Sequence, residues 1–124
     1  MAESILRIKS KQFAIDIIHA CREMRKNKVE YALIDQLLRS GTSVGANIHE
    51  AQFAQGTKDF ISKMEIALKE CNECDYWLDI LRSTKSIDTI KSSILSAECD
   101  EIRKILISSI NTLKSKQKLD AGSN

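Results

Sequence analysis

Apolar residues along the middle of the chain recur at alternating spacings of four and three: Phe60, Met64, Ala67, Cys71, Cys74, Leu78 and Leu81. That is the inward seam of an amphipathic helix held over three heptads. Ile61, Leu68 and Trp77 broaden it, and Glu65, Glu70, Glu73 and Asp79 make the opposite side acidic. The pattern predicts a helix over about 58–83. Phe13, Ile17, Ala20 and Met24, widened by Ile5, Leu6, Ile18 and Cys21, predict one over about 4–26. Leu95, Cys99, Ile102, Leu106, Ile110 and Leu113 predict another over about 87–115, with Ile90, Ile94, Ile105 and Ile107 spreading apolar surface around it. A fourth, over about 30–55, is second in chain order. Gly56 is expected to stop it and Thr57 to cap the helix that follows. Short polar links join neighbours near Asn27-Lys28-Val29 and Thr84-Lys85-Ser86. Four long helices with short links predict an all-α, up-down-up-down antiparallel four-helix bundle, one domain over 1–115, with a disordered tail over 116–124.

The second helix departs from an ordinary amphipathic pattern. Ser40 to Gly45 reads Ser-Gly-Thr-Ser-Val-Gly, a handicap of roughly 4 kcal/mol in helix propensity against alanine. At 100° per residue, Ile34, Leu37, Leu38, Gly41, Val44, Gly45, Ile48 and Ala51 still share one side. Gly41 and Gly45 therefore sit inside the apolar face, where a missing Cβ permits close approach of another helix. Beside that face runs a small polar stripe, Gln36, Ser40, Ser43, Asn47 and Ala54, flanked by Arg39 and Glu50. A solvated helix face carries Lys and Glu; this one does not. Gln36, Arg39, Ser40, Ser43, Asn47, Glu50 and Ala54 are therefore expected to form a seam between subunits.

Length and charge bound what the chain can do. Its 124 residues suffice for one core without staples, and proline is absent. Net charge is +2, which demands no polyanionic partner. The first helix is the basic one. Through Lys28 it carries Arg7, Lys9, Lys11, Arg22, Arg25, Lys26 and Lys28 against Glu3, Asp16 and Glu23. Arg22, Arg25, Lys26 and Lys28 cluster where a helix dipole favours cations, and they are the candidate nucleic-acid contacts. Phe13, Phe60 and Trp77 lie on or beside core stripes, so no stacking surface is expected, and binding would follow the phosphate backbone. No signal peptide and no membrane span is read, and the expected location is the cytoplasm.

Catalytic and metal-binding patterns are weak. Cys71-x-x-Cys74 places two thiols on one helical face, and Cys21, Cys74 and Cys99 fall at similar depth in an antiparallel bundle. A metal or cofactor held by core cysteines is the alternative reading. Each cysteine nevertheless occupies an apolar stripe position, where a reduced thiol behaves as a small hydrophobe. Asp16-x-x-His19 faintly resembles the Glu-x-x-His ligands of di-iron bundles, but those sites need two such motifs and two further inward carboxylates, and no second motif is present. His49 falls off the core face. A P-loop needs four residues between its glycines followed by Gly-Lys-Ser/Thr, and the spacing here is three with no lysine after Gly45. No catalytic residue, no metal ligand and no cofactor is assigned, and a non-enzymatic protein is expected.

The run Leu37-Leu38-Arg39-Ser40-Gly41-Thr42-Ser43-Val44-Gly45-Ala46-Asn47-Ile48-His49-Glu50-Ala51 resembles the signature of the 23S rRNA intervening-sequence proteins, also called the S23 ribosomal protein or four helix bundle family. Phe60, Lys63, Ile66, Ala67, Leu68, Glu70 and Trp77-Leu78 are similar to that family's third helix, and the likeness spans about residues 10–112. Gly45 stands where many members have proline, and His49 where alanine is common. The resemblance implies a four-helix bundle, often a homopentamer, without an established activity. It makes a homo-oligomeric scaffold for RNA, DNA or a nucleic-acid enzyme the expected function, with copies of itself as first partner and RNA or DNA as the second.

Overall fold

The computed structural model describes residues 2–122. Four helices follow in order: α1 Ala2–Lys26, α2 Tyr31–Ala51, α3 Thr57–Ser83 and α4 Thr89–Gly122. They form a ring in which each packs on its chain neighbours and α4 closes back on α1, the antiparallel bundle the pattern predicts. The α2/α3 seam is the most extensive and the α1/α4 seam the sparsest. The stripes read from spacing become one core: Leu6, Phe13, Ile17 and Met24 from α1; Ile34, Leu37, Val44 and Ile48 from α2; Met64, Cys71, Cys74, Leu78 and Leu81 from α3; and Leu95, Cys99, Ile102 and Leu106 from α4. At the start of α3 the buried side chain is Ile61, while Phe60 is only partly buried against the core. Ile5, Ile90, Ile94 and Ile107, counted among the stripes, stand exposed.

Turns set the helix ends. After α1, Lys28 takes a left-handed φ of 60°, and its N–H reaches Arg25 O (3.1 Å) while the Val29 N–H reaches Met24 O (3.1 Å). After α3, Lys85 (φ 57°) repeats this, with Lys85 N–H on Arg82 O (3.0 Å) and Ser86 N–H on Leu81 O (2.8 Å). Both are Schellman closures with lysine at the position glycine usually holds. The α2/α3 link differs from expectation. α2 stops at Ala51, where the Gln52, Phe53 and Ala54 N–H groups tighten onto the carbonyls three residues back. Gly56 instead opens α3 at φ 146°, Thr57 is already helical, and the Asp59 carboxylate accepts the Gln55 N–H at 3.1 Å. A φ of 146° with extended ψ is open only to glycine, which explains that residue. At the other terminus α4 continues past Ser115 as exposed helix to Gly122. Ser123 and Asn124, the rest of the tail region, lie outside the described residues.

Gly41 and Gly45 determine how close α1 comes to α2. A Cβ on Gly41 would stand 2.9 Å from Ile17 Cγ1, and one on Gly45 would stand 3.3 Å from the Ser10 carbonyl oxygen. Ile17 is fully buried, so it has little room to yield. Gly41→Val should therefore overpack this crossing and destabilise the bundle by about 2 kcal/mol despite valine's better helix propensity. Denaturant unfolding checks this; an unchanged or raised midpoint would mean that α1 does not lie on Gly41.

Candidate functional site

α2 presents three edges. Its inner edge, with Ile34, Leu37, Gly41, Val44 and Ile48, faces the core. The edge toward α3 carries the first half of the small polar stripe. Ser40 is fully buried there, its hydroxyl donating to Gln36 O (2.8 Å) and lying against the Cys74 thiol. This corrects the expectation that Ser40 belongs to a seam between subunits: its small size serves the contact of α2 with α3 inside one chain. Arg39 bridges the same two helices, pairing with Glu73 and, at 3.3 Å, with Glu70, while one of its N–H groups reaches Gln36 Oε1 at 3.5 Å. Ser43 and Asn47 are half-buried, with Asn47 Nδ2 donating to Ser43 O at 2.8 Å. Gln36 and Glu50 are exposed. Ala54 falls beyond the helix in the link and does not continue the stripe. Of the seven residues, Gln36, Arg39, Ser43, Asn47 and Glu50 lie along α2, one is inside the bundle and one is off the helix.

The third edge of α2 faces α1 and was not legible as a unit in the sequence. A groove of about 300 Å³ runs there, floored by Ala14, Gly45 and Ala46 and walled by Arg7, Lys11, Thr42 and His49. His49 is exposed and packs against Phe53, ring centroids 5.3 Å apart. Phe53 itself is 71% exposed. At the opposite end of the same pair of helices, Arg25 lies over the ring of Tyr31 at 5.4 Å, and Tyr31 is 65% exposed. Arg22, Arg25, Lys26 and Lys28 are all exposed at that end, with Arg25 also 3.9 Å from Asp35. The expectation of no stacking surface rested on Phe13, Phe60 and Trp77 and missed three exposed rings: Tyr31 and Phe53, at the two ends of α2, and Tyr76 on α3, edge-on to Trp77.

The thiols converge differently from the expected grouping. Cys71, Cys74 and Cys99 meet in the α3/α4 part of the core, with the Cys99 thiol on Cys71 O at 3.5 Å. Cys21 lies apart, its thiol on Ile34 O at 3.8 Å. Hydrogen bonding with Cys99 and burial push the Cys71 and Cys74 thiols well above the ordinary range. Burial raises Cys21 to about 11. All four are free and buried, and among the described residues no group of three or more His, Cys, Asp or Glu side chains is arranged to hold a metal ion.

The sparse α1/α4 seam holds the remaining titratable cluster. Lys9 pairs with Glu101 (2.6 Å) and Lys91 with Glu23. Between them Glu98 faces Asp16, and Glu98 Oε2 is buried without a hydrogen-bond partner among the described residues. Two carboxylates brought together are stable only when one carries a proton. Desolvation first, then Asp16 and Glu101, raise Glu98 to about 7. Asp16 and His19 line this groove with Lys91 and Ile94, so the Asp16-x-x-His19 pair opens outward, away from the thiols.

The arrangement defines an α-helical bundle with a basic outer groove and a closed core. A family model described as "23S rRNA-intervening sequence protein" matches residues 3–108. The chain belongs to that family. It is also similar to the crystal structure of a protein of unknown function from the S23 ribosomal protein family of Bacteroides thetaiotaomicron, with 41% identity and a TM-score of 0.86 over 90% of this chain and 99% of that one. No curated protein matches. Among the described residues no helix is long and apolar enough to cross a membrane.

Two expectations test the buried groups. Because the folded-state pKa of Glu98 lies above its unfolded value, the stability tied to its proton is present at low pH and lost as pH rises through about 7. Unfolding midpoints of the wild type should fall between about pH 5 and pH 8, and Glu98→Gln should flatten that fall; an identical slope in the variant would contradict the buried carboxyl. Replacing Cys71 and Cys74 together by Ala should cost about 1–3 kcal/mol through lost packing and leave the metal content of the purified protein unchanged. Stoichiometric zinc or iron that vanishes in that variant would show the cluster to be a metal site.

Proposed function

We propose that the chain is a non-enzymatic, cytoplasmic building block that assembles with copies of itself, as a pentamer, into a scaffold for RNA or DNA. The observation that carries the assembly is the outward side of α2 between Arg39 and Glu50. Its side chains there are Ser43 and Asn47, both short, on a helix edge where solvent-facing positions ordinarily carry long charged residues. Short side chains permit close approach, and Ser43 and Asn47 can hydrogen-bond across a contact. The nucleic-acid role draws on the exposed Arg22, Arg25, Lys26 and Lys28, multiplied by assembly. The alternative reading, a metal or cofactor held by the core cysteines, has no metal-holding group behind it among the described residues, and metal analysis separates the two.

Light scattering tests the assembly. The wild type should weigh several times the 14.0 kDa monomer, and Ser43→Lys should split it into smaller species that remain fully helical by circular dichroism. A wild type that is monomeric at tens of micromolar, or a Ser43→Lys oligomer of unchanged mass, would contradict the proposal.

A further inference from the structure

The charges of α1 are sorted by face. Asp16 and Glu23 turn toward α4, where Glu23 pairs with Lys91 and Asp16, accepting from Gln12 Nε2 (2.9 Å), faces Glu98. Lys9 turns the same way, onto Glu101. At 100° per residue, Arg7, Lys11, Arg22 and Arg25 fall within about 60° of one another on the side toward α2. Neither Lys11 nor Arg22 forms an ion pair with a described carboxylate. Each end of this cationic face has an exposed aromatic ring beside it: Phe53 on His49, next to the groove of Arg7 and Lys11, and Tyr31 under Arg25. The two rings bracket α2, whose 21 residues span about 30 Å, the length of about nine stacked nucleotides. Between the ends the floor is low, because Ala14, Gly45 and Ala46 have little or no side chain.

Cations alone bind any polyanion. Cations paired with exposed rings at both ends of a groove suit a strand whose bases are unpaired, since stacking needs a free base face. We propose that the outer α1/α2 groove seats a single nucleic-acid strand, with phosphates on Arg7 and Lys11 at one end and on Arg22 and Arg25 at the other, and with bases stacked on Phe53 and Tyr31. This rests on the scaffold reading and deepens it. It moves half of the contact away from the Arg22–Lys28 cluster and adds stacking to a surface otherwise read as purely electrostatic. Thr42 does not supply a donor, because its hydroxyl is committed to Leu38 O at 2.7 Å.

Fluorescence anisotropy with a labelled 12-nucleotide oligo-dT, the same length of duplex DNA, and heparin as competitor tests it on the intact chain at several salt concentrations. The single strand should bind more tightly than the duplex. Arg7→Gln with Lys11→Gln should weaken it at least tenfold and reduce the salt slope by about 1.4. Phe53→Ala should weaken it about tenfold with the slope unchanged, and Phe53→Tyr should restore it. Lys114→Gln, which removes a lysine engaged with Glu65 at 2.9 Å, should have no effect. Light scattering on the same samples keeps loss of assembly distinct from loss of contact. If the wild type binds the strand but the groove variants bind equally well, the groove assignment is wrong and the scaffold reading stands. If duplex and heparin bind as tightly and Phe53→Ala changes nothing, the surface is a general polyanion patch and the single-strand seat is wrong. If the wild type binds no oligonucleotide even at about 50 mM salt, where phosphate contacts are strongest, the nucleic-acid half of the scaffold reading falls with it.

Discussion

The bundle depends on the approach of α1 to α2 at Gly41 and Gly45. At Gly41 the place of a side chain is taken by Ile17, and at Gly45 an added Cβ would stand 3.3 Å from the Ser10 carbonyl oxygen, a few tenths of an ångström tighter than ordinary contact. This crossing is why a helix tolerates six successive residues of mediocre or poor propensity: the loss of roughly 4 kcal/mol is offset by a contact that larger residues would hold apart. The outer groove is a consequence of the same choice. Small residues that let two helices meet also leave a shallow channel over the meeting line, and the cations of α1 stand along it.

The α3 side of α2 solves a different problem. Ser40 is small because Cys74 lies against it, and Arg39 reaches across to Glu70 and Glu73. The motif of α2 thus serves two internal seams at once, glycine toward α1 and serine toward α3, and its outward positions, among them Gln36, Ser43, Ala46, Asn47 and Glu50, remain for contacts outside the chain. The α1/α4 seam, by contrast, is held by exposed ion pairs of modest worth and carries the Glu98–Asp16 contact. It is the place where a change of pH acts on the fold.

Helical period and breaker residues made the four elements legible in the sequence, because a heptad stripe such as Met64 to Leu81 has no other economical fold. Helix ends were less legible. Nothing in the composition tells that α2 closes by tightened turns at Ala51 or that Gly56 belongs to α3. Ser40 was misplaced because a 100° wheel gives an angle and not a neighbour: whether a residue at the margin of the apolar arc is buried depends on how closely the next helix packs. Tyr31 and Phe53 were missed for the opposite reason, since they sit at helix ends where periodicity assigns no face. The grouping of Cys71 and Cys74 with Cys99 and not with Cys21 likewise depends on the lateral packing of α3 on α4, which depth along the bundle does not specify.

The central claim is that α1 lies directly on the backbone of α2 at Gly41. Nuclear Overhauser spectroscopy on methyl-labelled protein measures it. The Gly41 Hα protons should show strong cross-peaks to the Ile17 methyl groups, because Cγ2 and Cδ1 of Ile17 lie 3.0 and 3.2 Å from where a Gly41 Cβ would stand. Their absence, with Ile17 cross-peaks going only to side chains of α3 and α4, would contradict the account.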